Sequence, residues 1–369
     1  MNRGAHALSL ACVALGALVA CGTFGSSDDA TPASADAGTL DGEANVDGAG
    51  PSTNDGGVDA GGGRTILSVV TLPIPIVAVD GTRVMWTTTE PEGGDIHDLY
   101  SCPKTGCVGT TPLDVGSPVS TISTDGTTMV VGFASQSRGL VRMDGDLQTP
   151  LVPGTNRIYQ STVRDGSAWY VVYEESAVEG TRTLHRVSVQ GGPSESIGTY
   201  APAPTVNASH VVVAKTRAFF ASHSTGNIGY CALDKSGCGE LATGSNAFGY
   251  ALATDDAKVF WANGDTVMSC SVDAVPPCTP KPELPSSAGA PWTIVAYKGS
   301  LFMTMKNGDL IECTAGDCAN NRRTLIKGEA FDGTWSYLTN NVAVDDGAVY
   351  YVTHVGNEYR LVRLERPKP

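Results

Sequence analysis

The feature that most constrains this chain is a pattern recurring about every 40 to 45 residues, a period at which one supersecondary unit is used many times. Each copy is a turn rich in Asp, Gly or Lys followed by a short apolar and aromatic run. The copies read Val79-Asp80-Gly81 before Val84-Met85-Trp86, Thr124-Asp125-Gly126 before Met129-Val130-Val131, and Arg164-Asp165-Gly166 before Ala168-Trp169-Tyr170. Four more follow: Lys215-Thr216 before Ala218-Phe219-Phe220, Asp255-Asp256 before Val259-Phe260-Trp261, Tyr297-Lys298-Gly299 before Leu301-Phe302-Met303, and Asp345-Asp346-Gly347 before Val349-Tyr350-Tyr351.

The runs are rich in Val, Ile, Tyr, Phe, Trp and Thr, are bounded by Gly, Asp, Asn or Pro, and show no competing helical period, which is a strand signature. Each copy parses as four strands. In the clearest, residues 249–286, they fall at 250–254, 258–263, 266–271 and after Cys278. A repeated four-stranded antiparallel unit of this length is the blade of a β-propeller. Seven anchors predict an all-β fold of seven blades over residues 65–369, with six or eight as the alternatives. The last copy supplies only three strands, at 341–344, 348–353 and 359–365, and the missing one is available at 65–72. Pairing of that N-terminal strand into the last blade would close the ring and leave only short protected sheet edges.

The chain begins with Arg3 and an apolar stretch at 7–19, too short to span a bilayer, so residues 1–20 read as a secretory signal. Leu18-Val19-Ala20-Cys21 followed by Gly22 resembles the lipobox of bacterial lipoproteins, which implies lipidation of Cys21 as the first mature residue. Two or more acyl chains bind a membrane stably. With no Asp after the Cys, the resemblance implies the outer membrane. No later segment approaches the roughly 20 apolar residues a spanning helix needs, so the lipid is the only membrane element expected.

Residues 21–64 form the next segment, and from Gly22 to Gly63 the residues are nearly all Gly, Ala, Ser, Thr, Pro and Asp, with eight acidic residues. Low hydrophobicity with one sign of charge cannot support a core, and the stretch reads as a disordered tether with a mean reach on the order of 35 Å. The formal net charge is −14 at neutral pH. Such an acidic balance argues against nucleic acid and against electrostatic binding to anionic lipid.

Beyond Cys12 and Cys21, eight cysteines form four close pairs: Cys102 with Cys107, Cys231 with Cys238, Cys270 with Cys278, and Cys313 with Cys318. Each pair is expected at the end of a blade's third strand and the start of its fourth, where opposed Cα atoms lie within disulfide range. A zinc site or redox pair is the competing reading, but the spacings vary and no Cys-x-x-Cys occurs. Export favours disulfides, each contributing on the order of 2 kcal/mol by loop closure.

Val259-Phe260-Trp261-Ala262-Asn263-Gly264-Asp265-Thr266-Val267-Met268-Ser269-Cys270 resembles the repeat of YWTD-like propeller lipoproteins of myxobacteria and their relatives. The likeness spans 65–369, strongest in the fifth blade. It implies the propeller fold and an envelope location, and almost nothing about chemistry.

No Gly-x-Ser-x-Gly elbow, metal-ligand His spacing, P-loop or dinucleotide fingerprint occurs. The acidic stretch Glu90, Glu92, Asp95, His97 and Asp98 holds hard oxygen ligands suited to Ca²⁺, with Asp95 and Asp98 the weak metal candidates. A solvated acidic loop is the favoured reading, and no cofactor is expected. Aromatic residues near the approaches to inner strands, chiefly Tyr159, Tyr250, Trp292, Trp335 and Tyr337, with Tyr200 and Phe248 beside them, form either a binding face or the packing between blades.

These features predict a non-enzymatic, monomeric, lipid-anchored envelope module that binds a protein or polysaccharide. The alternative is an extracytoplasmic hydrolase or lyase with its site at the central channel.

Overall fold

Short apolar runs separated by tight turns fold into seven radially arranged antiparallel sheets. The computed structural model describes residues 63–366 apart from 90–95, 108–109, 114, 136–137, 155–156, 174–181, 201–207, 223–226, 244–246, 287–288 and 331–339. Among the described residues there is no α-helix, and six sheets have four strands and one has three. The fold is a seven-bladed β-propeller. The first strands of neighbouring blades lie against one another around the axis, and the later strands follow outward in chain order.

The ring closes between its ends. Arg64–Val70 pairs antiparallel with Glu358–Glu365 as the outermost strand of blade seven, in a register running from Arg64↔Leu364 to Val70↔Tyr359 with one bulge between Ile66 and Ser68. Glu365 donates its N–H to Gly63 O at 3.0 Å. Nearer the axis, Ile76 and Asn340 form a parallel bridge in which Val77 N–H donates to Asn340 O at 2.8 Å, joining blades one and seven a second time.

Seven hydrophobic clusters, one per blade interface, stand in place of a single core. They follow from the period-two alternation of each second strand, whose successive side chains point to opposite faces. The middle residue of the run faces the next blade and its flanking residues face the previous one. Thus Phe219 of blade four meets Val259 and Trp261 of blade five, while Phe260 of blade five meets Leu301 and Met303 of blade six. The cycle closes with Tyr350 of blade seven against Val84 and Trp86 of blade one.

Blade one departs from the four-strand parse. Its sheet holds Val77–Val79, Arg83–Thr89 and Ile96–Pro103, and the fourth strand is reduced to a single bridge in which Leu113 N–H donates to Leu99 O at 2.7 Å. Among the described residues the pairing of this segment goes no further than that bridge.

Four disulfides are present, with Cα separations of 5.2 Å for Cys102–Cys107, 4.0 Å for Cys231–Cys238, 6.5 Å for Cys270–Cys278 and 4.9 Å for Cys313–Cys318. Only Cys231 and Cys238 are directly opposed in a ladder. The other three join a third strand to the loop beyond it, because the ladder resumes later than the sequence implies. In blade six, for example, Cys313 stands opposite Arg322.

Burial also sets the alkaline limit of the ring. Tyr351 and Tyr200, almost fully enclosed between blades, have phenols pushed up to about 12 by that burial. A raised pKa means the stabilisation is complete below the unfolded value of about 10 and is lost as pH rises from there toward 12, by about 2 to 3 kcal/mol per tyrosine. The midpoint of thermal unfolding should therefore fall steeply between about pH 10 and 12. The fall should be smaller in Tyr351→Phe and Tyr200→Phe.

Candidate functional site: the central channel

Each blade contributes its first strand to the channel wall, and the turn from first to second strand stands at one mouth. The repeated aspartate of the sequence pattern has a local task there. Asp80 Oδ1 accepts the N–H groups of Thr82 at 2.8 Å and Arg83 at 2.7 Å. Asp125, Asp255 and Asp345 repeat the arrangement, each with the N–H groups two and three residues on. These are Asx-turns, in which a short carboxylate satisfies backbone donors that the sheet leaves unpaired. Blades three and six solve the same problem with two-residue turns, Asp165-Gly166 and Lys298-Gly299, whose positive φ at both positions (49° and 66°, 46° and 78°) matches the twist of a hairpin.

Burial would raise the carboxyls of Asp125 and Asp345, but their bound donors outweigh it and both sit below the usual range. For Asp125 these are the Thr128 and Thr127 groups. For Asp345 they are the Lys104 ammonium and the N–H groups of Gly347 and Ala348.

Long cationic side chains then tie the blades together at this face. Arg83 of blade one reaches Asp146 of blade two at 2.8 Å, and Arg142 of blade two donates to Val189 O of blade three at 2.7 Å. Arg164 of blade three donates to Val213 O of blade four at 2.7 Å and continues to Asp256 of blade five at 2.9 Å. Arg217 of blade four donates to Val272 O and Ala274 O of blade five at 3.0 and 2.8 Å, its guanidinium 4.6 Å from the Tyr230 ring centroid. Lys298 and Asp346 join blades six and seven, and Lys104 and Asp345 join one and seven at 2.5 Å. Hydrogen bonds from a charged donor contribute about 1.5 to 3 kcal/mol. Arg217→Ala should therefore cost about that much in chemical denaturation, and Arg217→Lys should recover little, since one ammonium cannot span two carbonyls and a ring in the same way.

Inside this rim lies a cavity of about 1010 Å³. Its wall on blades two and three is built of small hydroxyls and an amide: Ser120, Thr121, Ser123, Gln160 and Ser161. Ser123 Oγ and Thr121 Oγ1 lie 2.9 and 3.3 Å from Ser161 Oγ, and Ser120 Oγ donates to Ile158 O at 2.5 Å. The wall on blades five and six is aliphatic, with Leu252, Ala253 and Ile294. His210 also lines it. None of the residues singled out from the sequence belongs to this hydroxyl wall, since single Ser and Thr residues in a strand carry no pattern of their own.

The aromatic candidates distribute unevenly. Tyr159 and Tyr250 lie on the inner strands Arg157–Arg164 and Ala247–Thr254 of blades three and five. Trp292, on the inner strand Pro291–Tyr297, is half-buried with Lys306 Nζ 5.3 Å from its ring centroid. Trp335 and Tyr337 fall outside the described residues. Tyr200 is a packing residue, stacked on Phe220 at 5.9 Å and lying over Gly229, where a Cβ would stand 2.4 Å from its ring.

Asp98 sits on Ile96–Pro103 with the Tyr100 hydroxyl 3.4 Å away. Asp95 and Cys21 lie outside the described residues. Among the described residues no three His, Cys, Asp or Glu side chains are grouped to hold a metal ion.

No protein-family model and no curated protein sequence matches the chain. Among solved structures it is similar to the β-propeller domain of the Trilobed protease from Pyrococcus furiosus, described as having an open velcro topology, at 9% identity over 80% of this chain and 94% of that one, with a TM-score of 0.55. It is also similar to the GH74 enzyme of Niastella koreensis, at 12% identity over 76% of this chain and 50% of that one, with a TM-score of 0.50. At these identities the likeness concerns the propeller fold.

Proposed function

We propose that this protein is a lipid-anchored propeller of the cell envelope that acts as a non-enzymatic binding or scaffold module for a protein or polysaccharide partner. In this reading residues 1–20 are a lipoprotein signal, Cys21 carries the lipid, 21–64 form the tether, and the propeller from 65 onward is the presented body, with YWTD-like repeats. The four disulfides support an oxidising compartment outside the cytoplasm. No helix among the described residues is long and apolar enough to cross a membrane, and the anchor in this reading is the lipid on Cys21.

The observation that carries the binding reading is the state of the channel mouth. The charged side chains that knit the blades there are engaged with partners in neighbouring blades, so they act as structural ties. They frame a cavity of a size that takes a ligand, whose inner-strand wall on blades two, three, five and six is neutral. A rigid disc with a preformed concavity binds without reorganising.

Fractionation of the expressing bacterium tests the anchor: the wild-type chain should label with radioactive palmitate and sediment with outer membranes, and Cys21→Ser should do neither. Incubating the pure protein with envelope polysaccharide and protein extracts tests the module. Retention of a partner in intact form supports it, and cleavage of that partner would support the hydrolase or lyase reading instead.

A further inference from the structure

We propose that the channel is a binding site for a neutral, hydroxyl-rich ligand, an oligosaccharide, held through the Gln160 amide and the hydroxyls of the facing strand. The proposal deepens the binding-module reading and rests on it.

Gln160 is only 7% exposed and lines the cavity, on the inner strand that also carries Ser161. Beside it Ser123, Ser161 and Thr121 form a connected hydroxyl row. Hydroxyls and amides both donate and accept. A ligand whose own groups do both can pair with all of them at once, and sugar hydroxyls have that property.

The charge at the mouth decides between neutral and anionic ligands. Asp80 and Asp125 line the opening, and no Lys or Arg among the described residues pairs with either. Lys104 is held by Asp345, and Arg363, the other cation at this lining, by Glu365. An anionic chain would meet uncompensated carboxylates and, among the described residues, no available cation, and is repelled.

The test is calorimetric titration of the full chain with maltohexaose, cellohexaose and N,N′-diacetylated chitohexaose as neutral probes, and with hexagalacturonate as the anionic one. At least one neutral hexasaccharide should bind, hexagalacturonate should not, and Gln160→Leu should weaken binding about three- to tenfold, the value of one neutral hydrogen bond. Gln160→Leu should leave the unfolding temperature close to the wild-type value, because in this proposal the amide serves the ligand; a purely structural glutamine would lower it.

Ser123→Ala, on the facing strand, gives the same affinity reading should Gln160→Leu not fold. Failure of all three neutral probes, tighter binding of hexagalacturonate, or unchanged affinity in both variants overturns the proposal. Chromatography of the recovered sugar separates this from the module reading. Intact sugar leaves that reading standing, and cleaved sugar sinks it while keeping the channel as the site. Absence of binding sinks the ligand class and leaves a protein partner open.

Discussion

Deletion of residues 64–70 should abolish the cooperative thermal transition of the propeller. The strand they form is the sole outer neighbour of Glu358–Glu365, and it carries Leu67, 4% exposed, into the cluster shared by blades seven and one with Trp86, Tyr359 and Leu361. Removing it strips six paired positions and an apolar plug from the place where the chain's two ends meet. Among the described residues the other bonds between these blades are the Ile76–Asn340 bridge and the Lys104–Asp345 pair, and the remaining apolar contact, Tyr350 against Val84 and Trp86, loses the cover that Leu67 gives it. By contrast, breaking the Arg64–Glu329 ion pair, whose side chains are 35% and 53% exposed, should change stability by no more than about 1 kcal/mol.

A graded version is Leu67→Ala, expected to cost about 2 to 5 kcal/mol as a buried leucine truncation. Circular dichroism melts and gel filtration read both variants. A deleted chain that melts as sharply and as high as the wild type would show that closure contributes little.

The interfaces were legible because they depend on alternation within a single strand. Ala-Phe-Phe, Val-Phe-Trp and Leu-Phe-Met each announce two faces with three residues, and the structure sends the middle one forward and the outer two back. The second and third strands of blade five stand at the expected residues, 258–263 and 266–271. The exchange of strands at the ends was legible by arithmetic, from one surplus strand and one vacancy.

Other features depend on distance in space and left no mark. Arg164 and Asp256 are 92 positions apart, and nothing near either residue names the other. Blade one looked like its neighbours although its fourth strand is a single bridge among the described residues. The turn aspartates were visible as punctuation, but their Asx geometry, and its replacement by positive-φ pairs at Asp165 and Lys298, emerged only with the backbone. Gln160 was invisible for a related reason. A glutamine in a strand signals nothing until the cavity it lines is seen.

Trp261→Ala should destabilise the protein by about 3 to 5 kcal/mol, the usual range for emptying a large aromatic site in a packed interior. Trp261 is 0% exposed and central to the interface of blades four and five, against Phe219, Leu252 and the Cys270 side chain. Propeller blades cannot collapse onto such a hole, because each sheet is fixed on both sides by its neighbours in a closed ring. The cavity term therefore adds to the lost transfer energy.

Trp261→Phe separates shape from polarity. The indole Nε1 is buried and makes no hydrogen bond, so replacing the ring by phenyl forfeits volume without orphaning a donor. The loss should be well under half that of the alanine variant. Urea denaturation with both substitutions checks this. Equal losses would mean that the Nε1 group, and not the volume of the ring, holds the two blades together, and the account of the interfaces as alternating apolar wedges would fail at its best-packed site.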